Sequence, residues 1–124
     1  TVDTSTQEAF ALKRGVCQDF SHIMIGALRS LNIPAGYVSG FLRTIPPPGV
    51  ERLEGADAMH AWVRIWCGKT MGYIELDPTN NIGVSSDHVV VGYGRDYADV
   101  SPVVGVIKSY GNQNSFQEVD VIPL

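Results

Sequence analysis

The stretch Gly15-Val16-Cys17-Gln18-Asp19-Phe20-Ser21-His22 governs the reading of the chain. Lys13-Arg14-Gly15 closes one element, with Gly15 placed as its stop. From there apolar residues recur at helical spacing at Phe20, Ile23, Met24, Ala27, Leu28 and Leu31. Asn32 and Pro34 end the pattern, so a helix is predicted over Cys17–Leu31. Cys17 then sits in the first turn, where unpaired N–H groups and the helix dipole favour negative charge. A thiolate gains there, and thiolate is the nucleophilic form of cysteine. Taken alone, a helical cysteine is ordinarily a small buried residue that packs. What singles out Cys17 is a histidine and an aspartate on strands further along. Asp19, in the same first turn, reads as a cap. Ser21 shares the face of Cys17, whereas His22 is turned away from the thiol and reads as structural.

Upstream, Thr1 to Lys13 reads as a helix with Thr4, Ser5 and Thr6 as cap candidates, Thr4 and Gln7 having capping-box spacing. Downstream, a strand is predicted over Gly36–Leu42, with Gly40 marking a bulge or a close approach. Residues 43–57 form a long loop stiffened by Pro46-Pro47-Pro48, either a wall over a site or a surface insertion. Met59 to Trp66 alternates strictly, His60, Trp62, Arg64 and Trp66 facing one way and Met59, Ala61, Val63 and Ile65 the other. Cys67–Gly72 turns the chain into Tyr73–Asp77, giving a hairpin. The register that keeps one face apolar sets Trp66 opposite Tyr73, Arg64 opposite Glu75 and Trp62 opposite Asp77. It leaves Asp77 diagonal to His60, within reach of its side chain. Further strands are predicted over His88–Tyr93, Val103–Tyr110 and Phe116–Ile122, with a polar loop over Gly94–Pro102. Helices first and strands after indicate an α+β fold on a mainly antiparallel sheet.

Cys17, His60 and Asp77 are the parts a cysteine nucleophile needs: a thiolate, a base that carries a proton near neutral pH, and a carboxylate that fixes the base. The oxyanion would meet the Cys17 N–H at the helix start, together with a second donor that the sequence does not identify. Trp62, beside His60, reads either as a substrate-side wall or as sheet packing.

The motifs Arg14-Gly15-Val16-Cys17-Gln18-Asp19-Phe20-Ser21-His22, His60-Ala61-Trp62-Val63 and Asp77-Pro78-Thr79-Asn80 resemble, in order, those of the transglutaminase-like superfamily, and most closely its bacterial branch. His88-Val89-Val90-Val91 and the run Gly94 to Pro102 resemble that branch as well. The resemblance implies a papain-like α+β core, with Cys17 as nucleophile, His60 as general base and Asp77 as third member. It implies acyl transfer from amide bonds of peptides or proteins through a thioester, ending in hydrolysis or transglutamination. Because this branch resembles longer proteins, the 124 residues are expected to be one catalytic core domain excised from a larger chain. A catalytically silent binding or scaffolding domain on the same fold is the alternative, and an acetyl-transferring Cys/His/Asp enzyme ranks below it.

Composition narrows the rest. The chain is 44% apolar and 18% charged, with a net charge of −4. It has no Lys/Arg run suited to nucleic acid and no apolar run of the ~20 residues that span a bilayer. Cys17 and Cys67 are expected to be free thiols. With the three histidines they lack the spacing of a zinc site, and no calcium-loop patterning is present, so no metal or other cofactor is expected. The partner is expected to be a peptide or protein substrate, not nucleic acid or membrane. No signal peptide begins the chain, which leaves the compartment open and a cytoplasmic one favoured.

Overall fold

The computed structural model describes residues 5–114 and 116–124. Helix α1 spans Thr6–Leu12 and is capped by Ser5, whose Oγ accepts the Glu8 N–H at 3.3 Å. Thr4 lies outside the described residues. Lys13 ends the helix in the left-handed region at φ 52°, so the stop falls two residues before Gly15. Gly15 is needed for another reason: a Cβ there would lie 2.7 Å from the Asp19 carboxylate. That carboxylate is the cap of helix α2, Cys17–Ser30, and accepts the Val16 N–H at 2.8 Å. Cys17 is therefore the first residue of α2. Ile25 turns inward to 3% exposure, flanked by Met24 and Leu28, a burial worth about 1.5–3 kcal/mol for such a side chain.

Five antiparallel strands form one sheet in the order β4-β3-β2-β1-β5: β1 Ala35–Leu42, β2 Met59–Trp66, β3 Tyr73–Asp77, β4 Ile82–Gly83 and β5 His88–Gly94. The β2–β3 register is the expected one, with Arg64 opposite Glu75 and Trp66 opposite Tyr73. Its turn contains a single helical turn, α3, Gly68–Met71. The wholly apolar face, Ala61, Val63 and Ile65, packs under Ile25 of α2 with Tyr37 of β1. This places the N-terminus of α2 beside the start of β2.

Gly40 combines both expected features. A Cβ there would meet Val89 O at 2.2 Å and the Trp62 ring at 2.5 Å. Beside it the β1–β5 register slips: Ser39 pairs with Gly92 but Gly40 pairs with Val90, leaving Val91 as an extra residue on β5. Such a bulge reverses the faces of all residues beyond it. Leu42 consequently pairs with His88, and His88 joins the face that carries His60 and Trp62.

Val103–Tyr110 and Phe116–Ile122, predicted as strands, are not strands. Val103, Val104, Val106, Ile107 and Tyr110 are 80–104% exposed. Their side chains suit a sheet, but a strand also needs a backbone ladder, and these residues pair with no sheet edge. The tail is held instead near its end. Buried Asp57 accepts the Val121 N–H and pairs with Arg52, while Asp57 N donates to Val119 O at 3.2 Å. These contacts also pin the end of the proline-rich loop.

Gly40→Ala is expected to lower stability by about 1–3 kcal/mol, since the carbonyl and indole that block its Cβ are both fixed in the sheet. A shift of the urea midpoint without a change in slope is the expected reading; an unchanged midpoint would show that the two strands can part freely.

Candidate active site

Three elements bring Cys17, His60 and Asp77 together. The first turn of α2 carries the thiol, the start of β2 carries the imidazole, and the end of β3 carries the carboxylate. His60 Nε2 lies 2.7 Å from Asp77 Oδ2, which leaves Nδ1 to serve Cys17, with which His60 lines one cavity. The thiol opens into a cavity of about 150 Å³ whose walls include Gln18, Tyr37, Ser39, Met59, Tyr97 and Pro102. Both cysteines are free, as expected.

The electrostatics follow from these contacts. Burial pushes the Cys17 thiol up, but the His60 hydrogen bond and charge, with the N–H groups of Ala61 and Gln18, outweigh it and hold the thiol below its ordinary value. Burial pushes His60 down, but its hydrogen bonds to Cys17 and Asp77 outweigh that and hold it above its ordinary value. The two opposite shifts favour a thiolate–imidazolium pair. Burial pushes Asp77 up, yet hydrogen bonds from Asn80 and His60 bring it down to about 2.

Asp77 is 1% exposed and its carboxylate is met donor for donor. Oδ1 accepts the N–H groups of Thr79 at 2.9 Å and Asn80 at 3.1 Å. Oδ2 accepts Asn80 Nδ2 at 2.8 Å and faces the Nε2 atoms of both His60 and His88, the latter at 3.3 Å. The sequence reading took Asn80 as turn material and His88 as a strand residue. The Asp-Pro-Thr-Asn spacing carries a signal for Asn80, because an aspartate commonly accepts N–H groups two and three residues on. His88 stands in a run that resembles the bacterial branch but carries no role there; its side chain is aimed by the bulge.

Trp62 does not form a wall. It has no exposed surface, its indole crosses above Gly40, and its Nε1 donates to Glu75 at 2.8 Å. It lies beneath the site, 6.2 Å from the His60 ring and 5.1 Å from that of His88. His22 is structural, as read. Its Nε2 accepts the Tyr97 N–H at 3.2 Å, and its ring stacks on Tyr37 at 5.2 Å. Burial, partly opposed by Asp96 and Asp19, lowers its pKa and keeps it neutral for that role. The loop Gly94–Pro102 thereby becomes a wall: Arg95 N donates to Asp99, Ala98 N to Asp96, and Arg29 Nη2 to Arg95 O at 2.7 Å.

His60, Asp77 and His88 place one ligand atom each within 4.8 Å of one another, close enough to suggest a cation site. The hydrogen bonding argues otherwise. Ser85 N–H donates to His88 Nδ1 at 3.3 Å, so the proton of neutral His88 sits on Nε2, the atom a metal would need bare. The group is a hydrogen-bonded chain.

Residues 1–78 match the family model of the transglutaminase-like superfamily, and the chain belongs to that superfamily. It is 45% identical over 99% of its length to an uncharacterized protein found in both Mycobacterium tuberculosis and Mycobacterium bovis. It is 40% identical over 89% of its length to one in Mycobacterium leprae. It spans about 40% of the length of these relatives, 40% for the first and 38% for the last. Among solved structures it resembles a candidate cysteine protease from Cytophaga hutchinsonii, at 30% identity and TM-score 0.63, over 82% of this chain and 31% of that one. Superfamily and neighbour together support a cysteine-based enzyme.

The Asp77 shift has a stability consequence with a definite sign. A carboxylate held at about 2 against the ordinary 3.8 adds stability above pH ~4 and loses it as the pH falls toward ~2. Urea unfolding of wild type and Asp77→Asn across that window is expected to show a steeper acid loss in wild type. Parallel curves would mean that the carboxylate is not held as these contacts imply.

Proposed function

We propose that this chain is the core of a cysteine acyl-transfer enzyme that opens amide bonds of peptides or proteins, with Cys17 as nucleophile, His60 as acid–base and Asp77 as the group that orients His60. The observation that carries the reading is that Cys17 and His60 line one cavity while His60 Nε2 lies 2.7 Å from Asp77 Oδ2.

In this reading the Cys17 proton rests on His60 Nδ1, and the imidazolium is stabilised through Nε2 by Asp77. The thiolate attacks the amide carbonyl carbon. The oxyanion that forms meets the N–H of Cys17 at the positive end of α2. His60 then gives its proton to the departing amine, leaving a thioester on Cys17. Water or a second amine attacks the thioester, His60 takes up the proton of that nucleophile, and the thiolate returns. Water completes hydrolysis and an amine completes transglutamination. The same triad serves both outcomes, so access to the thioester decides between them. The cavity walls, Tyr37, Tyr97 and Pro102 among them, supply an apolar rim suited to a side chain beside the scissile amide.

The test is alkylation of Cys17 by iodoacetamide as a function of pH, with Cys67 as internal control. Cys17 is expected to react as thiolate well below the ~8.5 of an ordinary thiol, and His60→Ala to raise it toward Cys67. His60→Ala and Cys17→Ala are each expected to lower turnover of a glutamine-containing peptide by at least ~10²-fold. Product analysis with and without added amine then separates hydrolysis from transglutamination. A Cys17 that titrates like Cys67 in the wild-type protein would refute the reading.

A further inference from the structure

On the triad reading above, we propose that His88 is a positioning residue of the same site: a neutral imidazole that donates its Nε2–H to Asp77 and so draws part of the carboxylate's charge away from His60. Three independent features support it. The first is tautomer. With Ser85 N–H directed at Nδ1 at 3.3 Å, the single proton of a neutral ring lies on Nε2, which faces Asp77 Oδ2 at 3.3 Å. The second is confinement. The His88 side chain is 0% exposed and sits edge-on to Trp62 at 78°, so its N–H has no water to turn to. The third is the backbone. Without the extra residue at Val91, the early β1–β5 register would set Val89 opposite Leu42 and turn His88 to the other face. The bulge delivers an imidazole to a place where an apolar side chain would pack as well against Trp62 but would leave one carboxylate contact unmade.

The effect on His60 follows from sharing one acceptor atom. Oδ2 serves His60 at 2.7 Å, Asn80 at 2.8 Å and His88 at 3.3 Å. Every donor to an ionised carboxylate stabilises the charge and weakens it as a base toward the others. His60 therefore holds its proton less tightly than it would against an undivided carboxylate, which keeps that proton transferable. The other charged groups nearby are accounted for. Cys17 faces His60 from α2, Glu75 is engaged by Trp62 Nε1, and Asp87, beside His88, pairs with Arg43 at 2.9 Å.

The experiment is an NMR titration of the His60 ring in wild type, His88→Leu and His88→Gln, the glutamine keeping an N–H donor near the position of Nε2. In His88→Leu the proton affinity of His60 is expected to rise by about three- to tenfold, moving its titration to higher pH, while His88→Gln stays within roughly twofold of wild type. A purely structural role would move neither titration, or would move both alike, and either result overturns the proposal. Ring nitrogen shifts of His88 in the wild-type protein supply a readout that needs no variant: Nε2-protonated supports the proposal, Nδ1-protonated ends it. Iodoacetamide profiles of Cys17 on the same wild-type samples keep the two readings apart. An ordinary thiol there sinks the triad and this inference together, whereas a low-pH thiolate with an unmoved His60 in His88→Leu sinks this inference alone.

Discussion

A carboxylate taken out of water must be repaid with donors, and Asp77 is the place where this chain meets that demand. Its side chain is wholly buried, and five contacts reach its two oxygens: two backbone N–H groups and a side-chain amide from the turn after β3, an imidazole from β2 and another from β5. No single segment could supply them. The hairpin has to close in one register, the turn has to fold back over the strand end, and β5 has to arrive with an extra residue. Satisfying one buried charge thus fixes the relative placement of β2, β3 and β5, and with them the orientation of His60.

The second constraint lies at the start of α2. The Asp19 carboxylate reaches back to the Val16 N–H, and Gly15 has no Cβ because one would strike that carboxylate. This fixes the helix start at Cys17 and leaves the thiol among the N–H groups of Gln18 and Ala61 with the His60 ring beside it. A buried thiol in apolar surroundings would be pushed up and inert; here the adjacent His60 imidazole and directed N–H groups reverse the sign. Both constraints share one device, a buried aspartate whose oxygens take backbone N–H donors, one at Asp19 and two at Asp77.

The loop from Gly94 to Pro102 shows how motif and wall coincide. Its polar residues bond mainly to their own backbone, with Asp96 and Asp99 closing N–H groups of Ala98 and Arg95, while His22 and Arg29 of α2 hold Tyr97 N and Arg95 O. The effect is to hold Tyr97 and Pro102 against the cavity. The polar residues of the run are fastenings, and its apolar members form the rim.

Much of this was legible before any coordinates. Strict alternation from Met59 to Trp66, the opposite charges of Arg64 and Glu75, and the helical spacing after Cys17 are local patterns, and each survives intact because the physics behind them is local: side-chain period, charge pairing, capping. They bring Cys17, His60 and Asp77 toward one another. What tertiary structure alone decided is the rest. The ends of the chain read as strands at Val103–Tyr110 and Phe116–Ile122, but a side-chain pattern states only a preference, and a ladder needs a partner edge that these residues do not have. Trp62 could have faced substrate; Gly40 lets it lie across β1 instead, a choice made by a residue 22 positions earlier. His88 read as a strand residue because Gly40 hinted at a bulge without saying that the extra residue would fall on β5, where it turns His88 toward Asp77. Period and charge are written along a chain; register between strands distant in sequence is settled only when the strands meet.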